Sequence, residues 1–226
     1  MPEWPWLQER KKVGPEYAAK SIQQFKGIIN YAIVNDYIKN NVFSSLRVKR
    51  GQKKNIEFLK PEELDKLKTY KFASERLQQV ADLFLLQCFT GFSYSDLANF
   101  DPKFHVEKEE NGREWIVKPR SKNGIESVLP FMPEAKEICM KYCVTTLHGK
   151  KLNLPVITNQ KYNSYLKEIG EIHGFNITLT THVGRKTFGT IALNKGYSIE
   201  SVSKMLGHTN TKTTQFHYAV ILKKEL

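Results

Sequence analysis

Thr181-His182-Val183-Gly184-Arg185-Lys186-Thr187, followed by Leu206-Gly207-His208 and, ten residues beyond that histidine, Tyr218, is the stretch on which the reading of this chain turns. If Thr181 caps a helix, His182, Arg185 and Lys186 stand at i, i+3 and i+4 and share one face. Three phosphate-seeking groups then project into one space, and a tyrosine nearby supplies a nucleophile for phosphoryl transfer.

The composition asks for a polyanionic partner. The chain has 226 residues, 40% of them hydrophobic, and a formal net charge of +12. That content supports a real core, and that charge favours nucleic acid over a small neutral substrate. An anionic membrane surface is the other candidate for such a charge. No apolar run approaches the roughly 20 residues of a membrane-spanning helix. The opening MPEWPWLQERKK has prolines and acids where a signal peptide needs a continuous apolar core, so the expected location is intracellular, in the cytoplasm. Cys88, Cys139 and Cys143 lack the close pairing of a zinc or redox motif and read as packing residues.

Periodicity divides the chain. From Pro15 to Ile38 apolar residues recur at helical spacing, and Asn40-Asn41 ends that helix. A basic, glycine-broken linker follows over residues 47–57; its Arg47, Lys49, Arg50, Lys53 and Lys54 are candidates for DNA-backbone contact. Lys60-Pro61-Glu62-Glu63 opens a helix, Ser74 to Phe89 is a buried one, and Ser93 begins a short one. The period then changes. Segments around His105–Lys108, Glu114–Lys118 and Ser127–Leu129 read as three strands joined at Asn111-Gly112 and Asn123-Gly124, with Lys122 at the second hairpin's tip. Helices are expected again at 133–144, 161–173, 182–195, 199–206 and 212–224. The predicted class is α+β, mostly α, with one small three-stranded antiparallel sheet.

This ordered set resembles the catalytic domain of the tyrosine recombinases, the phage integrase family, and especially the integrases of Bacteroides-type mobile elements. Thr90-Gly91-Phe92-Ser93-Tyr94-Ser95-Asp96-Leu97 resembles the first arginine box, Lys122 the hairpin lysine, and His182-x-x-Arg185 the second box. Met205-Leu206-Gly207-His208-Thr209-Asn210 resembles the third motif, and Tyr218-Ala219 the nucleophile and its follower. Residues 1–46 resemble the end of a helical core-binding segment, and 58–226 the catalytic domain.

The resemblance implies a site-specific recombinase that cleaves and rejoins double-stranded DNA at attachment sites through a 3′-phosphotyrosyl intermediate, integrating or excising a mobile element. It implies a tetramer on DNA, with no cofactor and no metal; free in solution, the expected state is a monomer. Tyr218 would attack, Arg185 and His208 would hold the non-bridging oxygens, Lys122 would protonate the leaving oxygen, and His182 would orient the phosphate or help deprotonate the tyrosine.

Three departures from the family pattern bear on this. Ser93 stands where the family usually has its first arginine, as in Bacteroides-type relatives, and Arg120 is the nearest compensating cation. Lys186 stands where histidine is more usual. The usual nucleophile position, nine residues after His208, is His217, so Tyr218 requires a one-residue insertion in the preceding loop. Two other readings stay open: a relative that binds DNA without cutting it, and a type IB topoisomerase-like relaxing enzyme.

Overall fold

A computed structural model describes residues 14–41, 43–44, 57–143 and 153–222. The basic linker residues Arg47, Lys49, Arg50, Lys53 and Lys54 lie outside the described residues. The chain divides into two units, Met1–Asn55 and Ile56–Leu226.

The first unit holds α1, Pro15–Val34, with proline in the first turn and Glu16 near the positive helix end. It stops four residues before the expected Ile38. The physical reason is local: Asp36 takes a left-handed conformation at φ 56°, and the N–H groups of Tyr37 and Ile38 both turn back to the Ala32 carbonyl. Phe43 packs edge-on against Phe25 at 5.4 Å.

The second unit is built around α3, Glu75–Thr90, with α2, Pro61–Thr69, packed beside it. Leu83, Phe84 and Leu86 of α3 are fully buried because helices surround them: α6 (Pro133–Tyr142), α7 (Asn159–His173) and α8 (Thr181–Asn194). Removing such side chains from water stabilises the fold by about 1.5–3 kcal/mol each. After α3 come α4, Tyr94–Ala98, and α5, Pro102–His105.

The sheet is antiparallel in the order β1 (Val106–Lys108), β2 (Glu114–Pro119), β3 (Glu126–Pro130). Ile116 pairs with Val106 on one side and Leu129 on the other, and Ile116 and Leu129 are fully buried. The expected first strand loses His105 to α5. Asp101 caps that turn by accepting from Lys103 N–H, Pro102 starts it, and the His105 ring bonds back to the Asp101 carbonyl.

Two last helices, α9 (Ile199–Met205) and α10 (Thr211–Leu222), pack on each other; α9 also lies on β3, and both touch α8. Among the described residues no helix is long and apolar enough to cross a membrane. Cys88 and Cys139 are buried packing residues whose thiols burial pushes up, that of Cys139 to about 12.

Candidate active site

The helix that carries the decisive motif begins one residue earlier than its sequence suggests. Thr180, in extended backbone, is the cap, and its hydroxyl accepts from the Val183 N–H. Thr181 is the first helical residue, and its N–H donates to Asn163 on α7. The shift leaves the predicted spacing of His182, Arg185 and Lys186 untouched.

Arg185 ties three elements together. Nη1 donates to the Gly91 carbonyl at the end of α3, and Nη2 to the Leu206 carbonyl just beyond α9, each at 2.5 Å. Burial, and then the nearby Arg120, lower its guanidinium to about 10, against the opposing pull of Tyr218 and Asp96. It remains a cation at neutral pH.

Arg120 enters from the hairpin and binds the next carbonyl along, with Nη1 3.4 Å from Gly207 O. Gly207 permits the approach twice over: its φ of +57° disfavours a side chain, and the Arg120 methylenes occupy the space a Cβ would need. Adjacent carbonyls of the Leu206-Gly207-His208 turn therefore hold two guanidinium groups side by side.

Asp96 links Arg120 to Ser93. Its Oδ2 accepts the Ser93 hydroxyl at 2.6 Å and faces Arg120 Nε at 3.4 Å, while Oδ1 accepts the Ser121 N–H at 2.8 Å. Burial works against this carboxylate, but the Ser93 and Ser121 hydrogen bonds and Arg120 together hold it below the usual range. Ser93 is also the cap of α4, in a reciprocal box with Asp96. Its hydroxyl is spent within the protein, on the same carboxylate oxygen that faces Arg120.

The other predicted residues gather around these. His182 reaches the surface, yet partial burial, followed by Lys186, Arg185 and Lys122, pushes its imidazole below 6.5. Lys122 is exposed on the β2–β3 turn and Lys186 is half-buried. His208 Nδ1 lies 2.8 Å from the hydroxyl of fully buried Thr214, which fixes the plane of the ring. Tyr218 is only 2% exposed, against α8; burial raises its phenol to about 12, with Arg185 pulling the other way. The side chain of His217 lies outside the described residues.

Three neighbours escaped the sequence reading as site residues. Asp96 was announced by the Ser93-x-x-Asp96 capping pattern, but Thr214 and Lys118 gave no local signal. Lys118, inside β2, is 5% exposed and lines a narrow cleft together with Phe92, Asp96, Arg120, Ser127 and Arg185. Among the described residues no group of three His, Cys, Asp or Glu side chains is placed to hold a metal.

Comparison with known proteins agrees with the sequence motifs. The model of the phage integrase family matches residues 57–225. A tyrosine recombinase of Pseudothermotoga lettingae is 22% identical over 220 residues, covering 94% of this chain and 73% of the relative. XerC of Thermodesulfovibrio yellowstonii is 26% identical, covering 91% and 71%. A local match to XerA of Saccharolobus solfataricus reaches 34% identity but spans only 45% of this chain and 34% of that protein. Among solved structures, the Tn1549 transposon integrase in complex with a circular intermediate DNA superposes with a TM-score of 0.70 at 18% identity, covering 99% of this chain and 83% of that one. A lambda integrase fragment bound to a core site gives 0.63 at 15% identity, covering 89% and 71%. These structural likenesses establish a shared fold.

Proposed function

Since this chain belongs to the phage integrase family, we propose that it is a site-specific DNA recombinase that breaks and rejoins DNA through a 3′-phosphotyrosyl intermediate on Tyr218. The Tyr218 oxygen bonds to phosphorus while the bond to the 5′-oxygen breaks. His182, kept neutral by its surroundings, takes the phenolic proton, and Lys122 gives a proton to the leaving oxygen. The ester bond energy is conserved in the protein–DNA link, so rejoining is the same step in reverse.

The observation that carries this reading is the pair of guanidiniums on adjacent carbonyls. Negative charge grows on the non-bridging oxygens, and Arg185 and Arg120 present fixed, permanently charged donors from one turn. Arg120 stands in for the arginine that Ser93 replaces: it shares the Asp96 carboxylate with the Ser93 hydroxyl, which brings its charge to that corner of the site. His208, oriented by Thr214, adds a further donor, and Lys186 adds charge beside His182.

On this reading the substrates are double-stranded attachment sites at the ends of a mobile element, with Arg47, Lys49, Arg50, Lys53 and Lys54 on the DNA backbone. Four copies assemble on two duplexes, and the chemistry needs no cofactor. The test is trapping on nicked duplexes taken from the ends of the DNA segment that carries the gene. A covalent protein–DNA band is expected from the native chain and none from Tyr218→Phe. Salt-sensitive binding without any band would overturn the reading in favour of a relative that binds without cutting.

A further inference from the structure

Lys118 is the residue whose surroundings least explain it. Strand alternation turns it to the same inward side as Ile116 and Arg120, and it is 5% exposed. Its cross-strand partner is Ser127, whose hydroxyl is committed to the Met205 carbonyl. The Lys118 ammonium is left with the carbonyl of its own neighbour, Pro119, at 3.4 Å, the outer limit of a hydrogen bond. A buried cation without a close counter-charge is destabilising unless something else meets it.

The cleft it lines indicates what that something is. Lys118, Arg120 and Arg185 border one space with a single carboxylate, Asp96, and that carboxylate already serves Ser93, Ser121 and Arg120. Three positive groups against one negative leave two positive charges facing this narrow cleft. A phosphodiester carries one negative charge, and its pentacoordinate transition state carries two.

We propose that Lys118 is a further catalytic cation, whose ammonium, beneath Arg120 and Arg185, binds a non-bridging oxygen of the scissile phosphate. This rests on the strand-transfer reading above. It assigns the charge lost at Ser93 to two groups from one hairpin, Arg120 and Lys118. The buried ammonium is unfavourable in the free protein and gains its partner when DNA is bound, most strongly as the second charge develops.

The test is Lys118→Met, which keeps the length of the side chain and removes its charge. Single-turnover adduct formation on the nicked duplex should fall by about 10²-fold, with DNA affinity changed by less than about threefold. The melting temperature without DNA should stay level or rise. On a duplex with a methylphosphonate at the scissile position, where one non-bridging charge is absent, the gap between native chain and variant should shrink toward onefold. An undiminished rate, a lowered melting temperature, or a gap of the same size on the neutral linkage would each overturn the proposal. If the native chain itself forms no adduct, the strand-transfer reading fails separately, and Lys118 is judged by inorganic phosphate. Phosphate should raise the melting temperature of the native chain more than that of the variant, and equal shifts would dismiss the assignment.

Discussion

The hydroxyl of Tyr218 occupies the place that a side chain on Gly189 would fill. Gly189 lies one turn beyond Arg185 on the same helix, so a missing Cβ on α8 makes the slot in which the proposed nucleophile rests, close enough to Arg185 for their charges to interact. With 2% of the tyrosine exposed, the hydroxyl must leave this slot to meet DNA. Gly189→Ala should evict it, lowering stability by about 1–3 kcal/mol through overpacking. Spectrophotometric titration should find the Tyr218 phenol moved from about 12 toward 10, and nitration of Tyr218, read by peptide mapping, should quicken several-fold. Unchanged nitration would mean the ring can shift without leaving.

Asp96 is the joint between the α4 cap and Arg120. Its side chain is 4% exposed and that of Arg120 11%, so neutralising it strands a poorly solvated guanidinium. Asp96→Asn should lower stability near neutral pH by about 3 kcal/mol in urea unfolding. The folded carboxyl sits below its ordinary value of 3.8, so its contribution is fully present above that pH and is lost as the pH falls through the folded value. The difference between native chain and variant should therefore be constant from pH 5 to 7 and close below 3.8. A gap that persists in acid would trace the effect to shape instead of charge.

Arg120 tests the compensation for Ser93. A lysine cannot reach the Gly207 carbonyl and Asp96 together while also facing a phosphate, because it lacks the planar fork. Arg120→Lys should reduce adduct formation by about 10²–10³-fold with DNA affinity nearly unchanged, the pattern of a group acting in the transition state. A matching loss of affinity would make it an ordinary backbone contact.

Much of this was legible in the chain because it was local. The Asn111-Gly112 and Asn123-Gly124 turns fixed the hairpins, and both glycines take positive φ. Ser93 capped a helix as its type suggests, and the i, i+3, i+4 face of α8 survived a one-residue error in its cap. What escaped depends on partners distant in sequence. Lys118 has the alternation of an inward residue and the chemistry of an outward one, and only the packing of α9 on β3, with Ser127 bound to Met205, decides between them. The slot at Gly189 exists only once α10 has folded back on α8, which no local pattern announces.

His182 gives the reaction its pH dependence. Burial disfavours its cation, and Lys186, Arg185 and Lys122 repel a further positive charge, so the ring titrates below 6.5 and is neutral at physiological pH. Below that midpoint it is protonated and cannot accept the Tyr218 proton; above it, it can. The second-order rate of adduct formation, which reports the free protein, should therefore rise with pH to a plateau, with a midpoint under 6.5. Lys186→Met removes the largest of the charge repulsions and should move the midpoint upward, toward the ordinary histidine value, while the plateau changes little. His182→Gln should flatten the acid limb and lower the plateau by about 10²-fold, the usual worth of a general base. An acid limb that survives in His182→Gln would place the proton acceptor elsewhere, with His208 the next group to substitute.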